Sequence, residues 1–207
     1  MMGHHGWTTA TFLVCAGVSL AAQQPSLKEM ARAQGGTAGQ VVDAHSPVME
    51  LPALIADSVL VVHARVVNQR TTLNRDETIV MTEYTLEPFR IPLARSTESS
   101  ARPGQVKIIV RRPGGTLSVD GLTLTTDVND YPEEAALKTG EDALFFLSRD
   151  QDEGFYRPLG GPFGILRIKG GQTKPLTPSV ARRRGDKPEA LSDVLATVEK
   201  LGAAVRR

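Results

Sequence analysis

Apolar and polar side chains alternate with a two-residue period at intervals between Asp57 and Lys169, which predicts strands across that span. The densest instance is Ala143-Leu144-Phe145-Phe146-Leu147. Ala143, Phe145 and Leu147 fall on one face of a strand there, and Leu144 and Phe146 on the other. A strand apolar on both faces needs a cover on both, a barrel interior on one side and another element outside. The polar, glycine-ended run from Arg149 to Gly154 then reverses the chain into Phe155-Tyr156-Arg157-Pro158-Leu159. Upstream, Ser58 to Val67 is dense in β-branched residues, with Leu60, Val62, Ala64 and Val66 as its better apolar face and His63 and Arg65 on its mixed one. A polar turn over 68–77 leads to a second strand, Thr78 to Phe89, which Pro88 and Pro92 are expected to end because proline cannot donate to a ladder. Gln105 to Arg112 makes a third strand, Pro113-Gly114-Gly115 a tight turn, and Thr116 to Val128 a hairpin turning at Asp120-Gly121. Gly160-Gly161-Pro162-Phe163-Gly164 opens a strand, not a helix, and reads as a bulge or corner with no helix N-terminus for a phosphate.

A helical period takes over at the C-terminus, where Leu191, Val194, Leu195, Val198, Leu201 and Val205 share one face. Asp186 and Glu189 have capping-box spacing, with Pro188 in the first turn and Lys200, Arg206 and Arg207 at the basic end. The helix is expected to pack on the strands, and its mixed-sign polar face argues against membrane attachment. Near the start, Pro25 to Ala33 predicts a brief helix, the following QGGTAGQ has linker composition, and Ser46-Pro47 opens a short helix over Met49 to Ala56. The expected organisation is a signal peptide at 1–21, a flexible mature N-terminus at 22–46 and a β-barrel at 47–169. A Gly/Pro/basic linker follows at 170–186, and an amphipathic helix at 187–207.

Composition narrows the function. The chain of 207 residues has room for one ordinary domain plus tails, and a net charge of +1 gives no global attraction to nucleic acid or anionic membrane. Aromatic residues are 5%, too few for base-stacking platforms along a strand face. Residues 7–22, WTTATFLVCAGVSLAA, are uncharged and apolar or small and end at Gln23-Gln24, as a secretory signal does. The leader is atypical in that Met1 to Gly6 carries His4 and His5 but no Lys or Arg. Cys15 lies inside it, preceded by Val14 where a lipoprotein needs a small residue, so the expected mature chain has no cysteine, disulfide or lipid anchor. The expected address is periplasmic or extracellular, with no stable membrane insertion after cleavage.

The order of segments then becomes familiar. Asp57-Ser-Val-Leu-Val-Val leads a first strand, followed by Tyr84-Thr-Leu-Glu, Val106-Lys-Ile-Ile-Val-Arg-Arg-Pro-Gly-Gly, Gly140-Glu-Asp-Ala-Leu-Phe-Phe-Leu and Tyr156-Arg-Pro-Leu-Gly-Gly-Pro-Phe-Gly. Over residues 50–169 this resembles exported bacterial proteins of unassigned role that carry an OB-like barrel, distantly similar to netrin and tissue-inhibitor-of-metalloproteinase (NTR-like) domains. The resemblance implies a small closed or partly open OB-like β-barrel with a C-terminal amphipathic helix, and a habit of binding proteins. The metalloproteinase inhibitors chelate zinc through an N-terminal cysteine locked by disulfides. Without a cysteine in the mature chain, that mechanism does not carry over.

Candidate chemistry is sparse. Asp43, His45 and His63 could share a metal or serve as acid–base groups if the fold joined them, against the simpler expectation of one linker histidine and one strand histidine. Asp150, Asp152 and Glu153 before Gly154 lack calcium-loop spacing and read as a solvated turn, as do Asp127, Asn129 and Asp130. Glu133-Glu134 and Glu141-Asp142 are the paired carboxylates, and no Gly-x-Ser-x-Gly elbow occurs. Arg182-Arg183-Arg184 is the strong basic cluster, expected to be a solvated linker. No catalytic, metal or cofactor set is expected. The favoured function is a non-catalytic binding or structural module acting on another exported protein. The alternatives are a secreted hydrolase-type enzyme using His63 with Asp43 and His45 or a carboxylate pair, and an accessory subunit docking through its C-terminal helix.

Overall fold

The two-faced strand is where the layers meet. In the computed structural model, which describes residues 25–43, 46–95, 107–129, 136–152, 154–176, 180 and 187–205, strand β7 (Asp142–Arg149) has Ala143 through Leu147 all buried. To place its neighbours, the strands before it are β1 (Thr37–Val42), β2 (Leu60–Leu73), β3 (Val80–Ala94), β4 (Ile108–Pro113), β5 (Gly115–Val119) and β6 (Leu122–Val128). After it come β8 (Tyr156–Pro158), β9 (Ile165–Lys169), β10 (Gln172–Pro175) and β11 (Glu189–Ala190). The helices are α1 (Leu27–Ala33), α2 (Leu51–Asp57) and α3 (Leu191–Val205). Ala143, Phe145 and Leu147 join Leu60, Val62, Ala64 and Val66 of β2, Tyr84 and Leu86 of β3, and Ile108 and Val110 of β4 in one core. Leu144 and Phe146 face the other way, into a second core with Leu54 and Ile55 of α2 and Val194, Leu195 and Val198 of α3. The protein is thus mostly β with a C-terminal helix packed on the sheet.

Pairing in the large sheet closes on itself. Antiparallel neighbours run β7-β2-β3-β4, a Greek-key order in which a later strand returns beside the first. β8 pairs antiparallel with β7 and, through Val110 and Tyr156, parallel with β4, which completes a ring. β8 and β9 lie end to end along one edge of β7, Pro158 opposite Leu147 and Ile165 opposite Phe145. The expected corner between them is a 3-10 turn, Gly161–Gly164, pushed out of line while the Leu159 N–H donates to the Phe146 carbonyl at 2.8 Å. Gly164 has no room for a side chain, since a Cβ there would lie 2.3 Å from the Leu159 oxygen. A smaller sheet, β1-β6-β5, sits beside the ring with α1 over it, enclosing Leu27, Ala31, Ala38, Val80 and Leu124. Its hairpin turns at Asp120-Gly121, both at positive φ (52° and 74°), as a type I′ turn requires.

Several expectations need correction. β3 does not stop at its prolines but continues through Pro88 and Pro92 to Ala94. Register shifts between Val61 and Ala64 of β2, opposite Pro88 to Leu93, break the ladder there, so the missing donors cost little. β2 runs on to Leu73, which moves the first turn from 68–77 to 74–79. The tail expected at 22–46 carries α1, with a complete Ser26/Glu29 capping box, and β1, paired parallel with β6 along its whole length. The linker expected at 170–186 begins with β10, which turns back on β9 at Gly170-Gly171. Glu189 pairs with Thr173 ahead of the helix, so it does not complete a capping box, and Asp186 lies outside the described residues. Also outside them are the leader, His45, Glu133, Glu134, Glu153 and Arg182-Arg183-Arg184. Among the described residues no helix is long and apolar enough to cross a membrane.

Candidate functional site

Glu83 is the only acidic residue of β3 whose side chain is buried, at 2% exposed. Register explains why it is tolerated. Arg70 of β2 and Arg111 of β4 lie directly opposite it on either side, on the face of the sheet turned away from the ring's core. Arg70 Nε donates to Oε2 at 2.7 Å, Arg111 Nη2 and Nε donate to Oε1 at 2.7 and 3.1 Å, and Thr72 Oγ1 adds a 3.3 Å bond. Burial pushes the carboxyl up, but the hydrogen bonds and charges of Arg111 and Arg70 outweigh it and hold the group below the usual carboxylate range. Arg111 reaches further: Nη1 donates to Asp152 at 2.6 Å, and the guanidinium lies 3.6 Å from the centre of the Phe155 ring. One arginine therefore joins β3, β4 and the turn between β7 and β8.

Beside this clasp opens a cleft of about 630 Å³, lined by Asn74, Arg75, Asp76 and Ile79 of the β2–β3 turn, by Met81, Arg111 and Pro113 of β3 and β4, by Asp150, Gln151, Asp152 and Arg157 around the β7–β8 turn, and by Val42 of β1. Both loop walls are fixed from within. Asn74 Oδ1 accepts the Thr78 and Ile79 N–H groups at 2.8 and 2.9 Å, and Asn74 Nδ2 donates to Thr78 Oγ1. Glu77, at φ 54°, is held to α1 by the Leu27 N–H and by Lys28 at 3.0 Å. Across the cleft the Asp150 N–H donates to the Phe155 carbonyl, and Asp150 Oδ1 accepts the Gln151 N–H at 2.6 Å. With Asp152 bound to Arg111 and Asp150 capping its own turn, these two carboxylates serve the loop's conformation. Arg75 and Asp76 are exposed on one side, and Arg157, which donates to Ser148 at 3.2 Å, is exposed on the other. The cleft offers both signs of charge beside the apolar side chains of Val42, Ile79, Met81 and Pro113.

A comparison with known protein families and with curated proteins returns no match. The chain's own geometry is what describes the site.

The residues singled out from sequence fall elsewhere. Asp43 follows β1 and accepts from Asn129 Nδ2 at 3.1 Å, tying the ends of β1 and β6 together. His63 sits near the start of β2, in the other sheet, edge-on to the Phe89 ring at 5.1 Å, with its Nε2 buried and unpartnered. Burial lowers its pKa, assisted by Arg90 and opposed by Asp142. The structure does not bring Asp43 and His63 together. Asp142 is spent on Arg65 at 2.8 Å, and Glu141 on the Lys138 N–H and Arg167. Among the described residues no group of three or more His, Cys, Asp or Glu could hold a metal. On the apolar face of α3, Val194, Leu195 and Val198 are covered, at 1%, 6% and 0% exposed, and Leu191 and Leu201 are partly buried. Sequence reasoning missed Glu83, Arg70 and Arg111, because their meeting depends on register between three strands. The available signal was an acidic residue inside an otherwise apolar alternation.

Proposed function

We propose that this chain is an exported, non-catalytic binding module with an OB-like, NTR-like barrel, and that it grips another exported protein in the cleft between Arg75 and Arg157. Support for the barrel comes from the five-strand ring, its Greek-key order and its narrow closure at Val110 and Tyr156, features of a partly open OB-like barrel. In such barrels ligands meet the loops joining the first two and the last two strands of the ring. Here those loops are the two cleft walls. The observation that carries the reading is the cleft itself, pre-formed and lined by apolar side chains together with both charge signs, a composition suited to a protein surface and not to a polyanion.

The test uses the chain from residue 22 onward as bait for periplasmic and culture extract, beside an Arg75→Glu/Arg157→Glu variant. Both substitutions are on exposed side chains, so the variant's circular dichroism and melting should match the parent's. A partner identified by mass spectrometry, captured by the parent and lost by the variant, is the expected result. Equal capture by both proteins removes the cleft from the account, and an unprocessed chain in the cytosolic fraction removes the export.

A further inference from the structure

β1 is an edge strand whose open side no element among the described residues pairs with. It pairs only with β6 among the described residues, and in that parallel ladder Thr123 N–H donates to the Gly36 carbonyl and Asn129 N–H to the Val42 carbonyl. Backbone groups alternate in direction along a strand, so Gly36, Ala38, Gln40 and Val42 turn toward β6 while Thr37, Gly39 and Val41 turn their N–H and C=O groups outward. No hydrogen bond within the described residues takes up those outward groups. Edge strands in soluble proteins are blunted by lysine, proline, inward charges or a covering element. Thr37-Ala-Gly-Gln-Val-Val42 has no charge and no proline, and Val41 is 66% exposed. α1 packs over the face on which Ala38 is buried.

We infer that a second copy of this chain occupies the edge, β1 pairing antiparallel with β1 of the other copy about a two-fold axis at Gly39. The sequence is self-complementary for that operator. With Gly39 opposite Gly39, Thr37 of one copy faces Val41 of the other, and every outward-turned residue falls in a hydrogen-bonded pair that exchanges two bonds. No like charges meet across the axis, because the strand carries none, and the two glycines at the axis bring no side chains together there. Each exposed Val41 gains a β-branched neighbour. The two small sheets would then form one continuous sheet, an isologous interface that closes at two copies. A strand pair alone buries less than the ~1,000 Å² of a stable interface, so the dimer is weak and concentration-dependent.

The experiment is sedimentation velocity with amide exchange by NMR over a concentration series of the chain from residue 22 onward. Wild type is expected to be monomeric when dilute and to dimerise below about 1 mM, with the amides of Thr37, Gly39 and Val41 gaining protection as the dimer forms. Gly39→Pro removes an outward N–H while leaving the bonds to β6, and Val41→Lys places a charge on the edge; both are expected to hold the chain monomeric. Because Gly39→Pro could disturb β1 itself, exchange at Ala38 and Gln40 reports whether its pairing with β6 survives, and Val41→Lys stands as the second variant. A monomer throughout the series overturns the inference, as does a dimer indifferent to Val41→Lys. Protection of Thr37, Gly39 and Val41 already present in the dilute monomer overturns it too, since the chain's own residues would then fill the edge.

Discussion

A buried carboxylate between two arginines makes Glu83 the residue whose chemistry is most exposed to test. Glu83→Gln keeps the shape and removes the charge, leaving Arg111 with only Asp152 and the Phe155 ring to neutralise it. The expected loss is about 2–3 kcal/mol at pH 7, short of a fully buried pair because Arg70 is 62% exposed. The pH dependence follows from the direction of the shift. The folded carboxyl is held low, so its stabilisation is complete above the unfolded pKa of roughly 4.3 and fades as pH falls through the folded value. Urea melts of parent and variant should therefore differ at pH 7 and converge toward pH 2–3. A gap that stayed constant with pH would mean that Glu83 acts through packing alone. Gly164→Ala tests a different constraint. Its Cβ would fall 2.3 Å from the Leu159 oxygen and 2.8 Å from the Leu159 nitrogen, both backbone atoms that cannot rotate away. A loss of about 3 kcal/mol or more is expected, read from the thermal midpoint, and an unshifted midpoint would contradict the tight corner. The corner was legible in the glycine-rich Gly160–Gly164. Glu83 was not, because a single sequence does not reveal which arginines a strand's register will set beside it.

Among the elements, β7 shows what periodicity can and cannot say. Two apolar faces implied two covers, and the structure supplies the inner core on one side and α2 with α3 on the other. Phe146→Ala should cost about 3–5 kcal/mol, since the ring is fully buried in the cluster that also holds Leu54, Leu166 and Val194. A chemical-denaturation midpoint that failed to move would place Phe146 outside that second core. α3 was legible for the same reason, a long helical repeat with one apolar face. β1 was hidden because Thr37-Ala-Gly-Gln carries almost no hydrophobic signal. Its hydrogen bonds come from the backbone, and only Ala38 is buried. β3 was underestimated because prolines read as terminators, whereas a shifted register supplies places where no donor is needed.

At the scale of the whole molecule, the ring closes at its weakest seam. β2 and β3 pair from Leu60–Ala94 to Leu73–Val80, while β4 and β8 share one register pair, Val110 and Tyr156. Few backbone bonds resist opening there, so side chains help hold the seam, and Arg111 crosses it. It ties β4 to Asp152 and Phe155 in the turn before β8. Arg111→Met keeps the apolar stem and deletes the donors. The expected outcome is faster amide exchange at Val110 and Tyr156, with little change in Val62 or Phe145, which sit deep in the β2–β7 ladder. Because the same turn forms one wall of the cleft, partner capture should weaken in the same variant although neither Arg75 nor Arg157 is altered. Local exchange without weakened capture would separate the seam from binding. Unchanged exchange would mean that the ring is closed by the backbone alone, and that the cleft owes its shape to the loops' own hydrogen bonds.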